Sequence, residues 1–222
     1  MEHSMPHYMA ELVLAGRNVL MVGGGRVARR KIEGLLVCGA KVTVVAPTLD
    51  AVVAQWVARG QVAYRRESFA EGMLEESPRP LLIFAATDQA GLNREIARLS
   101  GIHGILCNSA DDPGSSGFLV PAVVRRGEVA VAVGSGGRSP ALSRVLKEHI
   151  DAWLEPGWGE LAQVFGDWRP RVAERIPDSQ TRQSFWRSTA LAAADPQNSA
   201  LTGDTRGWLQ DRLEKQTQNN QE

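Results

Sequence analysis

The sequence contains little of what builds disulfide scaffolds, membrane spans or nucleic-acid surfaces. Its two cysteines, Cys38 and Cys107, stand apart in apolar segments, which predicts reduced, buried thiols. The 25 basic and 25 acidic residues cancel, so no general attraction to nucleic acid or to an anionic membrane is expected. No apolar run approaches the roughly 20 residues of a membrane span, and residues 1–8 lack a signal-peptide pattern. We therefore expect a cytoplasmic protein.

Histidine and tyrosine are also scarce, and neither forms a catalytic or metal-binding pattern. His3 and His7 lie in a predicted tail, His103 lies in a turn, and His149 has helical spacing with apolar residues. No two histidines have the spacing of metal ligands, so no metal site is predicted. Neither tyrosine is followed by a lysine four residues later, which excludes the dehydrogenases that use a tyrosine–lysine pair.

The most informative stretch present is the one around three consecutive glycines. Apolar residues 19–22 run into Gly23, Gly24 and Gly25, and a segment with helical character follows. The order strand, tight turn, helix, with the spacing Gly23-x-Gly25-x-x-Ala28, is typical of dinucleotide-binding units. In such units the amides and dipole of the helix start hold the diphosphate. The alternative is a glycine turn that binds nothing.

The first half of the chain alternates predicted strands with predicted helices. The expected strands are residues 10–14 as a short edge strand, 19–22, 41–46, 61–66, 81–86 and 104–107. Helical spacing is found in residues 27–37, 49–59 and 92–99. This alternation predicts an α/β fold with a Rossmann-like, doubly wound parallel sheet, whose ligands bind beyond the carboxyl ends of its strands.

The pattern changes in the second half. Residues 118–124 and 128–133 predict a hairpin, and Ser139 with Pro140 predicts the start of a helix that reaches Trp153. Further helices are expected at 159–165, 170–175 and 181–191, before a mainly polar end with a weak amphipathic patch around Trp208 and Leu209. We expect an NAD-binding domain over 1–117, a small hairpin-containing dimerisation region over 118–153, and a helical domain with a polar tail over 154–222.

Several polar residues follow predicted strands and are candidates for the site. Residues 45–48 carry no acid and no arginine, so the cofactor ribose would rely on backbone groups or on the Thr48 hydroxyl, and NAD and NADP stay open. Thr87 ends the strand at 81–86 and is a candidate cofactor contact. Asp111 follows the last strand and is a candidate proton acceptor, although Asp111 and Asp112 would equally suit a solvated turn before Pro113.

A second candidate site precedes the helix that begins at Pro140. We predict an anion site over residues 135–140, because this segment combines glycines, free amides at a helix start and the cation Arg138. Ser135 and Ser139 are its candidate hydroxyl contacts. Arg144 and Lys147, one and two turns later, would extend it toward a ligand with several carboxylates. The alternative is a glycine-rich connection that ends in an ordinary helix cap.

Six segments, taken together and in order, resemble the dehydrogenase module of the siroheme synthase family. They are residues 22–31, 85–88, 107–113, 118–121, 131–140 and 182–186. The resemblance runs from about residue 8 to residue 186. It implies NAD-dependent oxidation of precorrin-2 to sirohydrochlorin, and some members of this family also insert ferrous iron.

The resemblance also implies roles for individual residues. The family's catalytic aspartate falls on Asp111, and its substrate-pocket serine falls on Ser135. Its NAD contacts fall on the turn that holds Gly23, Gly25, Arg26 and Val27, and on Pro47 and Thr48. The substrate's eight carboxylates would give the anion site, with Arg138 and Ser139, a purpose. A homodimer is implied, because the family interlocks its subunits through the hairpin and the following helices.

Two other functions stay open from the sequence. A bifunctional enzyme would also chelate ferrous iron, and a non-catalytic protein would bind NAD as a sensor. Asp112 stands where the family commonly has an uncharged residue, and Gly134 replaces a frequent serine. Both departures bear on chelation rather than on hydride transfer.

Overall fold

A computed structural model describes residues 6–195 and 203–219. The chain divides into two compact units, Met1–Val120 and Pro121–Glu222. The predicted domain boundaries at 117/118 and 153/154 stay predictions. None of the helices within the described residues is long and apolar enough to cross a membrane.

The first unit is built on a parallel sheet of five strands. They are β1 (Asn18–Val22), β2 (Lys41–Val45), β3 (Ala63–Arg65), β4 (Leu82–Ala85) and β5 (Leu106–Ser109). The helices are α1 (Arg26–Val37), α2 (Ala51–Ala58) and α3 (Ala90–Ile102), with 3₁₀ turns at Glu71–Leu74 and Pro113–Ser115. The strand order β3-β2-β1-β4-β5 confirms the predicted Rossmann-like sheet, and the order reverses between β1 and β4.

Both faces of this sheet are covered, because successive side chains of a strand point to opposite sides. In β1, Val19 and Met21 pack with α1 and α2, while Leu20 and Val22 pack with α3 and the first 3₁₀ turn. Continuous apolar strands are therefore buried on both sides, as a parallel sheet requires. Ala28 is fully buried, which brings α1 close to the sheet.

The predicted edge strand at residues 10–14 is wrong. This segment has no strand partner, and only Leu14 of its five residues is buried. The chain meets the domain through a turn instead, where the Arg17 amide donates to the Leu14 carbonyl and the Gly16 amide donates to the Gly39 carbonyl. An apolar pattern of five residues does not make a strand unless a neighbouring strand accepts its hydrogen bonds.

The second unit begins with the predicted hairpin, β6 (Ala122–Arg126) and β7 (Val129–Val133), and continues into α4 (Pro140–Trp153). The Ser139 hydroxyl accepts from the Leu142 amide, which confirms Ser139 as the helix cap. Arg126 holds the other end of α4, because its guanidinium donates to the carbonyls of Asp151 and Leu154.

Three longer helices complete this unit: α5 (Gly157–Arg175), α6 (Ser179–Ala193) and α7 (Thr205–Asn219). The predicted break between 165 and 170 is wrong, since α5 runs through Pro170. Val164 and Val172, on either side of this proline, are buried in one cluster, so packing outweighs the hydrogen bond that Pro170 cannot donate.

The weak amphipathic patch of the predicted tail lies on a helix, α7, over residues 205–219. Leu209 and Leu213 of α7 are buried with Phe185 of α6, so the weak patch in the sequence is a packing face. Residues 196–202 of the predicted tail, and 220–222, lie outside the described residues.

Candidate functional site

The glycine turn joins the ends of three strands. The Gly23 amide donates to the Val45 carbonyl at 2.9 Å, and its φ of +112° is a conformation that favours glycine. A Cβ at Gly23 would lie 2.3 Å from the carbonyl oxygen of Ala86, just beyond β4. Gly24, which the motif leaves unspecified, is equally constrained, because a Cβ there would lie 2.3 Å from the Thr48 carbonyl oxygen. The first two glycines therefore serve packing within the protein.

Gly25 differs from them, and it begins α1. A Cβ at Gly25 would meet no protein atom within 4 Å, and this cap residue has no side chain to accept from the amides of the first turn. The first turn contains no acidic residue, and Arg26 and Val27 in it are exposed. A helix start of this kind, with free amides and a positive dipole end, fits a dinucleotide's diphosphate.

The loop after β2 lies beside this turn. Pro47 and Thr48 are exposed, and the Asp50 amide donates to the Gly24 carbonyl at 2.7 Å. The Asp50 carboxylate accepts from the Val52 amide at 2.9 Å and lies 3.5 Å from the Arg29 guanidinium. Asp50 and Arg29 therefore neutralise one another next to the predicted ribose position.

Thr87, at the end of β4, is bound to a residue that the sequence did not single out. The Thr87 hydroxyl and amide both donate to Asn93 Oδ1, at 2.7 and 3.1 Å. Asn93 lies in the first turn of α3 and is fully buried. Its Nδ2 donates to the Thr87 carbonyl at 3.2 Å and to Asp111 Oδ1 at 3.0 Å. Asn93 thus connects a predicted cofactor contact to the predicted catalytic carboxylate.

Asp111 lies in the loop that follows β5, and a second donor reaches the same oxygen. The Ser109 hydroxyl donates to Asp111 Oδ1 at 2.9 Å. Desolvation raises the pKa of Asp111, but the hydrogen bonds from Ser109, Asn93 and its own backbone amide, with the charge of Arg94, outweigh it and hold that pKa below its ordinary value. Asp111 is exposed and is therefore a solvent-accessible, ionised carboxylate at neutral pH.

The two neighbouring aspartates have different roles in the structure. The Asp112 carboxylate accepts from the Gly114 amide at 2.9 Å and caps the 3₁₀ turn at Pro113–Ser115. The turn-shaping alternative therefore applies to Asp112, and Asp111 belongs to the network with Asn93. The sequence alone did not separate them, because the donors to Asp111 come from other elements.

A lysine in the glycine-motif helix also reaches β5. Lys31 Nζ donates to Asn108 Oδ1 at 2.7 Å and lies 5.3 Å from the centroid of the Phe84 ring. Burial, with a smaller contribution from the charge of Arg30, lowers the pKa of Lys31 to about 8. The sequence analysis did not assign a role to this residue.

In the second unit, the predicted anion site is a compact capped turn. Ser135 Oγ accepts from the Ser139 amide at 3.1 Å, and the Arg138 amide donates to the Ser135 carbonyl at 3.1 Å. Gly136 and Gly137 both have positive φ, and Arg138 and Arg144 are exposed. The loop thus brings Ser135, Arg138 and Ser139 together, and anion binding there stays a prediction.

Within residues 6–195 and 203–219, no three histidine, cysteine, aspartate or glutamate side chains are grouped so that they would hold a metal ion. His3, one of the four histidines, lies outside this range.

The sheet order, the glycine turn and the open helix start define a Rossmann-type nucleotide-binding protein. A family model described as "Putative NAD(P)-binding" matches residues 11–122, which is half of the chain. A second model, described as "Sirohaem synthase dimerisation region", matches residues 157–208. The chain belongs to the siroheme synthase family, over the NAD(P)-binding and dimerisation regions that these two models describe.

Individual relatives agree with this assignment. Siroheme synthase from Nitrosococcus oceani is 37% identical over 79% of this chain, and that from Gluconobacter oxydans is 41% identical over 78%. The chain spans only 37% of the length of each of these relatives. The solved structure of "SirC, precorrin-2 dehydrogenase" has a TM-score of 0.68 and 27% identity, and the match covers 94% of this chain and all of that one.

Proposed function

We propose that this protein is an NAD-dependent precorrin-2 dehydrogenase that works in the cytoplasm as a homodimer. One observation carries the proposal. Strands β1, β4 and β5 are neighbours in the sheet, so their carboxyl ends bring Gly23, Thr87 and Asp111 to one edge. At that edge a helix start suited to a diphosphate and an ionised carboxylate are held by the same scaffold, as a hydride-transfer site requires.

The residues at this edge suit NAD. When bound, NAD supplies a nicotinamide ring that accepts a hydride. The amides of Arg26 and Val27 would face the diphosphate, and Thr48 and Thr87 would contact the rest of the cofactor. We favour NAD over NADP because the carboxylate of Asp50 occupies the guanidinium of Arg29, which would otherwise suit a 2′-phosphate.

Asp111 would receive the proton of the reaction. Oxidation of precorrin-2 to sirohydrochlorin removes two electrons and two protons, as one hydride to NAD⁺ and one proton to a base. Loss of the hydride leaves a cationic macrocycle whose remaining proton is acidic, so a carboxylate with a lowered pKa is basic enough to accept it. The proton then passes to water, because Asp111 is exposed.

The substrate's carboxylates need cationic and hydrogen-bonding partners. We assign Ser135, Arg138 and Ser139 as substrate contacts. Arg138 is exposed, and no ion pair of Arg138 occurs within the described residues. The Ser135 and Ser139 hydroxyls accept from backbone amides and keep their own protons available for donation.

The proposed dimer is supported by an apolar stripe on α4. Leu142, Val145, Leu146 and Trp153 recur at helical spacing and are between 42% and 66% exposed. An apolar stripe of this kind on a folded unit marks an interaction surface. A second copy of the chain is the occupant we propose, since the adjoining residues 157–208 match a dimerisation region.

The test is to supply the purified protein with precorrin-2 and NAD in the absence of metal, and to follow NADH absorbance and the sirohydrochlorin spectrum. We expect one NADH for each sirohydrochlorin. Ferrous iron, added afterwards, separates a dehydrogenase from an enzyme that also chelates, by comparison with the spontaneous rate of insertion. NAD binding without NADH formation would contradict the proposal and favour a sensor.

Asp111→Asn, with Asp112→Asn as its matched control, tests the assigned base. We expect the Asp111 variant to lose roughly 10²–10⁴-fold in kcat and to retain NAD binding, because a proton acceptor is removed. The Asp112 variant changes only the cap of a 3₁₀ turn and should keep kcat within a small factor. Equal activity of the two variants would contradict the role of Asp111.

A further inference from the structure

Lys31 is a partly buried cation whose hydrogen-bond partner is a neutral amide. It lies in the second turn of α1, and its ammonium reaches across the Phe84 ring to Asn108 Oδ1 at 2.7 Å. Within the described residues Lys31 forms no ion pair. Partial withdrawal of this ammonium from water, with no carboxylate beside it and with the charge of Arg30 as a smaller cause, lowers its pKa to about 8. A residue that is kept despite this unfavourable desolvation free energy is a candidate for a functional role.

Asn108, the partner of Lys31, closes the base of the loop that carries Asp111. Asn108 is buried near the end of β5, and its Nδ2 donates to the Phe118 carbonyl at 3.0 Å. The Gly117 amide donates to the Cys107 carbonyl at 2.8 Å, and the rings of Phe84 and Phe118 meet edge to face at 5.3 Å. The two ends of the loop over residues 109–117 therefore lie side by side at the end of β5, and these hydrogen bonds hold them together.

Both polar groups of the Asn108 amide are used, and the two bonds fix its orientation. The oxygen accepts from Lys31 and the nitrogen donates to the Phe118 carbonyl. Removal of the Lys31 donor would leave a buried carbonyl oxygen without its partner and would free the amide to rotate. The loop base would then lose the contact that ties it to α1.

We propose that Lys31 is a positioning residue, which holds Asn108 and thereby fixes the Asp111 loop relative to α1. This inference rests on the proposed dehydrogenase function. Lys31 follows Arg26 by five residues, or about 7.5 Å along the helix axis. One side chain thus links the helix that would hold the diphosphate to the loop that carries the proton acceptor. Displacement of a reacting group by about 1 Å can cost 10²-fold in rate.

Two variants of Lys31 and one control test this proposal in the full chain. Lys31→Met keeps the volume but removes the donor and the charge, and Lys31→Arg keeps both. Lys41→Met removes an exposed lysine at the start of β2, distant from the carboxyl edge of the sheet. We would measure kcat, KM for NAD, KM for precorrin-2 and the unfolding temperature of each.

We expect Lys31→Met to lower kcat by roughly tenfold to 10²-fold, with KM for NAD close to that of the wild type. Lys31→Arg should recover most of that loss, and Lys41→Met should match the wild type. Wild-type kcat in Lys31→Met overturns the inference. A parallel loss of kcat, NAD affinity and unfolding temperature that Lys31→Arg does not repair also overturns it, since that is the behaviour of a purely structural residue.

The wild type serves as the reference for the proposed function itself. If the wild type forms NADH and Lys31→Met does so equally well, only the role of Lys31 is wrong. If the wild type forms no NADH with precorrin-2, the dehydrogenase assignment fails, and the positioning role fails with it.

Discussion

The two units of this chain differ in how their apolar surfaces are covered. In the first unit both faces of the sheet are covered. The side-chain amide of the buried residue Asn93 forms hydrogen bonds through both its oxygen and its nitrogen. In the second unit α5, α6 and α7 enclose a core, yet α4 leaves Leu142 53% and Trp153 66% exposed. The sheet of the first unit is covered on both faces by residues of that unit, whereas α4 of the second unit carries an exposed apolar stripe that suits a partner.

The largest expected effect breaks the closed packing of the first unit. In Gly23→Ala the new methyl group would lie 2.3 Å from the Ala86 carbonyl oxygen, at a φ of +112°. We expect a loss of about 3 kcal/mol or more in the free energy of unfolding, together with loss of NAD binding. Urea unfolding and calorimetric titration with NAD measure the two effects.

Gly25→Ala is the matched control for that experiment, because a methyl group there meets no protein atom within 4 Å. The free energy of unfolding should stay close to that of the wild type, while NAD affinity falls as the methyl group enters the predicted diphosphate position. Equal NAD affinity in Gly25→Ala and wild type would contradict the assignment of this helix start.

The second effect concerns the exposed apolar stripe on α4 of the second unit. Leu146→Asp places a charge in the apolar stripe of α4, and we expect the proposed dimer to become a monomer with its fold retained. Leu81→Asp is the control, since Leu81 is exposed to a similar degree (47% against 42%) but lies in the first unit. Sedimentation velocity measures the outcome, and a monomeric wild type would contradict the dimer.

The smallest effect concerns one hydroxyl in the Asp111 network. Ser109→Ala removes a donor to Asp111 Oδ1, so the pKa of Asp111 should rise toward its ordinary value. The acid limb of the kcat/KM profile should therefore move to higher pH. A lowered carboxylate pKa stabilises the fold above the unfolded-state pKa, and this stabilisation is lost as pH falls through the folded-state pKa. Ser109→Ala should therefore lose part of this stabilisation at neutral pH, by a small amount because Asp111 is exposed to solvent.

Ser100→Ala provides the comparison for Ser109→Ala. Ser100 is a buried serine of the same unit whose hydroxyl donates to the Ile96 carbonyl and does not contact Asp111. Its pH profile should coincide with that of the wild type. A shift of equal size in both variants would show that the effect is not specific to the Asp111 network.

Much of the first unit could be predicted because its signals are local. Apolar runs mark β1 and β4, and Gly23 and Gly25 mark the turn between strand and helix. Gly24 was left without a role, since its constraint comes from the Thr48 carbonyl, 24 residues later in the chain. Asn93 and Lys31 were missed for the same reason, as their partners lie on other elements.

The second unit was predicted less well because its helices are stabilised by tertiary contacts. Pro170 predicts a break, yet the burial of Val164 and Val172 keeps α5 continuous. Around Leu209 the sequence is mostly polar, so its helical pattern is weak. Packing of Leu209 and Leu213 in the cluster that contains Phe185 makes α7 part of the core. Propensity and periodicity are weak guides wherever tertiary packing decides the outcome.

The Asn93 side chain both accepts and donates hydrogen bonds. Residues of similar shape are therefore not conservative replacements for it. Aspartate at this position would set a second carboxylate oxygen 3.0 Å from Asp111 Oδ1, in place of a donor. Leucine would leave the partly buried Thr87 amide without its acceptor. Exchange of the amide nitrogen for a carboxylate oxygen therefore suffices to turn the attraction between α3 and the Asp111 loop into repulsion.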